Sequence, residues 1–368
     1  MKILQLTSHL NVGGITSYLY HLSQGLKKLN IDSSLASSGG EQERDFEHHQ
    51  ITTHSIPLDT KHELSIKLAW SFFKLKKLYK QEKWDLLHAH TRVSQYLAYF
   101  LSQNLHIPYV TTFHGFYHHH LGRKLFPCLG HRTIANSFPV EEDLKAHYPT
   151  HTPHISTILH GIDTEYFNTK NISDEKKQNF RQEFKIPLLP TLGIVGRLSE
   201  EKGHLKLLEI LKILIEKHRQ KVQLLMIGDG KMKSSILKKI EELKLSDSVF
   251  LLPTQKDPRT ALSLIDVYVT FQAGPEGFGL SFLEAMSLGK PLVISYSKGG
   301  MADFLENEKE GFLLHNSTLE TMAEKINTLL NFPELQKEMG QKGAQKIKEY
   351  FSYERMAEQT RSIYEQVL

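Results

Sequence analysis

Cysteine occurs only once in the 368 residues, at Cys128, so no disulfide can close within the chain and no cysteine-based zinc site can be built. A reducing cytoplasm is the simplest compartment for such a sequence. Long apolar runs are missing as well: no stretch of about 18 to 20 uninterrupted apolar residues occurs, and no membrane-spanning helix is expected. The opening segment Met1-Lys2-Ile3-Leu4-Gln5-Leu6-Thr7 has too short an apolar run for a signal peptide and reads as a first buried strand. Charge of one sign is scarce, with 45 Lys and Arg against 41 Asp and Glu, a net +4. No basic run interleaved with aromatics accompanies that excess, so nucleic acid is not expected as a partner; an anionic substrate or membrane surface fits it.

What remains is the composition of an ordinary globular protein, 40% hydrophobic and 23% charged, in a chain longer than one core usually serves. Two domains are therefore expected. Short apolar runs alternate with helical patterns: Ile3 to Leu6, then Thr16 to Leu29; Leu86 to Ala89, then Ser94 to Gln103; then Tyr109 to Phe113. The rhythm restarts at Leu192 to Val195 and continues through Leu224 to Ile227, Val249 to Leu251, Val267 to Phe271 and Leu292 to Ile294. Such βα alternation predicts parallel sheets with helices on both faces. The break falls at residues 164–190, which are polar around Asn168 to Asp174 and interrupted by Pro187 and Pro190. The expected domains are 1–165 and 166–350, followed by an amphipathic helix over 351–368.

The run Pro275-Glu276-Gly277-Phe278-Gly279-Leu280-Ser281-Phe282-Leu283-Glu284 places two glycines between two carboxylates just where an apolar helix pattern begins. Glycines let backbone approach a ligand closely, and the orphan amides of a helix start favour an anion. Arg197 and Lys202 follow the strand Leu192 to Val195 through Gly196, two cations suited to a diphosphate. Taken singly, they would be ordinary surface charges, and Gly13-Gly14 an ordinary turn. That pair is not the dinucleotide fingerprint, because the third glycine is missing.

Together these residues resemble the retaining glycosyltransferases of family 4, which have the GT-B fold: an α/β architecture of two doubly wound, Rossmann-like sheets facing a central cleft. The resemblance rests on Gly13-Gly14, Thr112-Phe113-His114-Gly115, His160-Gly161-Ile162-Asp163, Gly196-Arg197-Leu198 with Lys202-Gly203, Gly228-Asp229-Gly230, the Glu276 to Glu284 spacing, and Gly299-Gly300. The family usually has Asn where His160 stands, and often Pro-Ser ahead of the first Glu where this chain has Gln272-Ala273-Gly274-Pro275. The resemblance implies transfer of a sugar, with retention, from a nucleotide diphosphate to a glycan or lipid-linked acceptor in cell-envelope synthesis, without a metal or other cofactor. It implies that Arg197 and Lys202 hold the diphosphate and that Gly13, Gly14, Gly196 and Gly228 approach it. Gly277, Phe278, Gly279 and Leu280 would present amides, His114 and Glu276 would contact the sugar, and Glu284 would hold the ribose. It also implies that the last helix crosses back to the N-terminal domain. A nucleotide-sugar 2-epimerase or a non-catalytic nucleotide-sugar-binding subunit would carry many of the same residues.

Histidines are uneven, with all 21 but His204, His218 and His315 preceding the break. His88-Ala89-His90 and His118-His119-His120 are the best metal candidates, yet neither has ligand spacing, and no metal is expected. The segment Trp70 to Lys80, aromatic and rich in lysine, reads as a basic amphipathic helix that either docks on anionic lipid or packs its aromatics inward. Phe116-Tyr117 with Gly122 to Phe126 forms a second patch of the same kind.

Overall fold

Parallel strands need crossover helices, and the chain supplies them in two separate sheets. The computed structural model describes residues 1–60, 62–63, 65–117, 121–271, 279–296 and 304–368. Glu276, Gly277 and Phe278, the His118 to His120 run and Gly299-Gly300 lie outside them. Contacts divide the chain into two units, Met1–Ile162 with Phe351–Leu368, and Asp163–Tyr350.

The first unit contains β1 (Lys2–Leu6), β2 (Asp32–Ser37), β3 (Thr53–Ser55), β4 (Leu86–Ala89), β5 (Tyr109–Phe113), β6 (Arg132–Ala135) and β7 (Ile155–Thr157). Its helices are α1 (Gly14–Lys28), α2 (Glu43–His48), α3 (Ile66–Glu82), α4 (Arg92–Leu105), α5 (Leu121–Leu125) and α6 (Phe138–His147). The strands lie parallel in the order β3-β2-β1-β4-β5-β6-β7. Side chains alternate across the sheet: Leu4, Leu6, Leu87 and Ala89 meet α3 and α4, while Ile3, Leu86 and Val110 meet Tyr18, Leu22 and Leu26 of α1. Both faces are thus apolar, as a doubly covered sheet requires.

The second unit holds β8 (Thr191–Val195), β9 (Gln223–Ile227), β10 (Val249–Leu252), β11 (Val267–Phe271), β12 (Leu292–Tyr296) and β13 (Gly311–His315). Between them run α7 (Asp174–Glu183), α8 (His204–Glu216), α9 (Lys233–Glu242), α10 (Arg259–Ser263), α11 (Leu280–Ser287), α12 (Leu319–Asn331) and α13 (Pro333–Tyr350). The order is β10-β9-β8-β11-β12-β13. The polar stretch 164–190 carries α7, whose N-cap Ser173 accepts from the Lys176 N–H at 3.3 Å.

The last helix, α14 (Tyr353–Glu365), belongs to the first unit and packs on α1. Gly25 makes this contact possible, since a Cβ there would lie 2.5 Å from the Ala357 Cβ and 2.8 Å from the Tyr353 carbonyl oxygen. Among the described residues, no helix is long and apolar enough to cross a membrane.

Strand order reverses between β1 and β4 in the first sheet and between β8 and β11 in the second. In open α/β sheets, ligands bind beyond the carboxyl ends of the strands at such reversals.

Candidate active site

At the reversal of the second sheet, Gly196 and Arg197 leave the carboxyl end of β8 beside β9, where Val195 lies opposite Ile227. Gly228, next after β9, comes so near that a Cβ on it would sit 1.9 Å from the Gly196 carbonyl oxygen. Only glycine fits. A short turn, Glu200–Lys202, then ends at Gly203 with φ +67°. A Cβ on Gly203 would fall 1.8 Å from the Phe271 carbonyl oxygen, so the turn is laid directly against the end of β11. That placement carries Lys202 toward α11, with its Nζ 5.9 Å from the centroid of the Phe282 ring in the first turn of that helix. Gly279, at φ +74°, leads into α11 at Leu280. The helix start has no side-chain cap and no acidic residue in its first turn, so its leading amides suit an anion.

Tyr268 fixes the distance between these two elements. Its hydroxyl contacts the Val195 carbonyl oxygen at 3.2 Å and the Ser281 Oγ at 2.8 Å, tying the end of β8 to the first turn of α11. Glu284 lies one turn further along α11 and is half-buried. Burial pushes its carboxyl up to about 8, and the negative charge of Asp257 adds to the shift. Asp257 itself forks onto Arg259, with Oδ1 to Nε at 2.9 Å and Oδ2 to Nη2 at 2.6 Å. Gly196, Arg197, Lys202, Gly228, Gly279, Leu280 and Glu284 therefore gather around one strand reversal.

Gly13, Gly14 and His114 stand in the first unit. Gly13 is the N-cap of α1, which also lacks a side-chain cap and an acidic first turn; a Cβ on Gly13 would meet only the Asn11 carbonyl oxygen, at 4.0 Å. His114 follows β5 and keeps partial exposure, with its ring edge against Tyr18 at 4.7 Å between centroids. Behind it lies a cluster that the motifs did not predict. His90 Nδ1 is 3.2 Å from His114 Nε2, and His88, His160 and His21 are buried around Tyr18 and the tail helix. His88 has both ring nitrogens engaged, Nδ1 with the Tyr364 hydroxyl and Nε2 with Thr112 Oγ1, each at 2.7 Å. Among the described residues, no group of three or more His, Cys, Asp or Glu could hold a metal ion. Burial depresses His88 and His114 to about 3 and His21 to about 4, and drives His90 and His160 well below their ordinary value. At neutral pH these rings carry no charge. The sequence signal for His90 was its place after β4, the neighbour of β5, where Ala89 pairs with Thr111.

Residues 12–166 match the family profile described as Glycosyltransferase Family 4, and residues 175–346 match that of Glycosyl transferases group 1. The chain belongs to these family 4 glycosyltransferases. Among its relatives is the poly(ribitol-phosphate) alpha-N-acetylglucosaminyltransferase of Staphylococcus aureus, 32% identical over 173 residues, a match that covers 47% of this chain and 35% of that protein. The chain thus spans about a third of that relative's length. The crystal structure of a glycosyltransferase from Rickettsia africae superposes with a TM-score of 0.87 at 22% identity, covering 100% of this chain and 98% of the other. HepE of Anabaena, crystallised with UDP and glucose, gives 0.85 at 19% identity over the whole of both chains. The fold is GT-B: two Rossmann-like domains, each built on a parallel sheet.

Proposed function

We propose that this glycosyltransferase moves a hexose or related sugar, with retention, from a nucleoside diphosphate donor to a glycan or lipid-linked acceptor of the cell envelope. The observation that carries the reading is the convergence of Arg197, Lys202, the glycine-lined loops and the start of α11 on the reversal of the second sheet. Cations and open amides placed there stabilise the charge that builds on the departing diphosphate. In the second unit Gly277, Phe278, Gly279 and Leu280 are to present amides to sugar and phosphate, with Gly196 and Gly228 bringing backbone close to the diphosphate, and in the first unit Gly13 and Gly14 leave the start of α1 open to an anion. Glu276 and His114 contact the sugar, and Glu284 accepts from the ribose hydroxyls. The departing phosphate itself helps take the acceptor proton, and no metal takes part. UDP heads the donors to be tried, because HepE, of like fold, was crystallised with it.

Thermal stabilisation by UDP, GDP, ADP and their sugars is the first test, since a ligand bound only by the folded state raises the melting temperature. With the donor so found, Lys202→Ala and Arg197→Ala each lower turnover on the order of 10²-fold or more. Wild-type rates in both variants would refute the assignment. Release of an epimerised sugar from UDP-N-acetylglucosamine alone would instead favour the epimerase, and saturable nucleotide binding without turnover the binding subunit.

The acceptor side of this reading includes peripheral attachment to the inner face of a membrane rich in anionic lipid. On α3, Leu68, Ser71 and Leu75 face the core, whereas Ile66, Trp70 and Phe73 are 74%, 68% and 68% exposed. Ile66, Trp70, Phe73 and Lys77 recur at helical spacing on one face, with Lys67 and Lys74 exposed beside them. Of the other patch, Phe116, Tyr117 and Phe126 pack inward and Leu125 stays outside. Exposed aromatics set among lysines fit an anionic interface. The full chain should sediment with phosphatidylglycerol-containing vesicles at low salt, and the double variant Trp70→Ala, Phe73→Ala should not. Wild-type protein that stays in the supernatant ends the proposal.

A further inference from the structure

We propose that His90 is a positioning residue that holds His114 as its Nδ1–H tautomer, so that His114 meets the transferred sugar as a hydrogen-bond donor. The inference rests on the reading that His114 contacts the sugar. His90 cannot do so itself, since its side chain is fully buried. Its Nδ1 faces His114 Nε2 at 3.2 Å, and that pair of nitrogens shares a single proton while both rings are neutral.

Two arrangements satisfy the contact. If His114 donated from Nε2, His90 would carry its own proton on Nε2, a buried atom without a hydrogen-bond partner. If His90 donates from Nδ1, the same buried atom is only a bare lone pair. A buried N–H left without an acceptor is the rarer and costlier defect. The second arrangement is therefore favoured, and it leaves the proton of His114 on Nδ1, its other ring nitrogen, in a residue that retains solvent access. Which nitrogen of a histidine is protonated is set by the bond the other makes.

The surroundings allow the pair no easy rotation. The His90 backbone N–H donates to the Leu6 carbonyl oxygen at 3.0 Å, and the His90 ring lies 4.1 Å from that of His88, itself clamped by Tyr364 and Thr112. The His114 carbonyl accepts from Asn136 Nδ2 at 3.0 Å while its ring rests edge-on against Tyr18.

Long-range proton–nitrogen correlation spectra of the full chain, labelled with ¹⁵N-histidine and recorded at pH 7.5, test this without any substrate. His114 is assigned from the signals lost in His114→Ala. The expected result is a protonated Nδ1 and a bare Nε2 on His114, lost or mixed in His90→Leu and restored in His90→Asn, whose amide N–H can donate from the place of Nδ1. A wild-type His114 protonated on Nε2 overturns the proposal, as does an unchanged tautomer in His90→Leu. Should His90→Leu not fold, the wild-type and His90→Asn spectra still decide. Full turnover in His114→Ala would remove the sugar contact on its own, independently of the tautomer.

Discussion

At the scale of single residues, the sharpest consequence of the site is electrostatic. Glu284 is held as a neutral acid, because burial and then Asp257 raise its carboxyl to about 8. In the unfolded chain the same carboxyl ionises near its ordinary value of about 4.3. The folded state therefore suffers no penalty below about pH 4, an increasing one as pH rises toward 8, and a constant one above. Glu284→Gln, which mimics the neutral acid, should raise the melting temperature at pH 7 to 8 by a few degrees, on the order of 1–3 kcal/mol, and by nothing at pH 4. Thermal melts across that range check it, and a gain independent of pH would show that the carboxyl is not the cause. The residues legible in the sequence are those whose role follows from chain order: Arg197 and Lys202 stand directly after a strand, and Glu284 inside a helix start. Tyr268 and His90 were illegible because their work depends on partners 13 and 24 residues away, Ser281 and His114, that only the register of the strands brings near.

At the scale of elements, the strands found from sequence are those with both faces apolar, such as Leu192 to Val195 and Val267 to Phe271. Strand β2, Asp32-Ser33-Ser34-Leu35-Ala36-Ser37, gave no such signal. Its hydroxyls find partners elsewhere: the half-buried Ser33 Oγ accepts from Gln5 Nε2 at 2.6 Å and the buried Ser34 Oγ from Trp84 Nε1 at 3.1 Å. In β6, Thr133 Oγ1 donates to the Leu129 carbonyl oxygen at 2.6 Å. Polar residues can build a central sheet when their partners are supplied by other segments, and a single sequence does not display those partners. Helix docking has its own device in Gly25, where α14 comes within contact of the α1 backbone. Gly25→Leu should overpack that seam at a cost of about 1–3 kcal/mol, despite leucine being the better helix former. Limited proteolysis should then release the tail near Phe351 before other cuts appear. A variant as resistant as wild type would mean that the seam can open without consequence.

At the scale of the whole molecule, the uneven spread of histidine becomes a difference in acid tolerance between the two units. Seven described histidines of the first unit, His21, His54, His88, His90, His114, His151 and His160, are depressed chiefly by burial. In the second unit His204 is depressed, to about 4. A histidine kept neutral by the fold takes up a proton only on unfolding, near its ordinary value of about 6.5. Its contribution is complete above that pH and is lost as pH falls from there toward the folded values, about 3 for His88 and His114. Each such group steepens the loss by up to about 1.4 kcal/mol per pH unit. Glu284, raised to about 8 in the second unit, acts in the opposite sense and favours that unit as pH falls, so the interval from pH 6 to 5 sets the two units apart. Between those values the first unit should loosen while the second holds. Proteolysis at pH 5 with an acid-tolerant protease, read by mass spectrometry, should cut within 1–162 and spare a fragment close to Asp163–Tyr350. Equal cutting in both units, or earlier loss of the second, would mean that the buried imidazoles find room for their protons without unfolding.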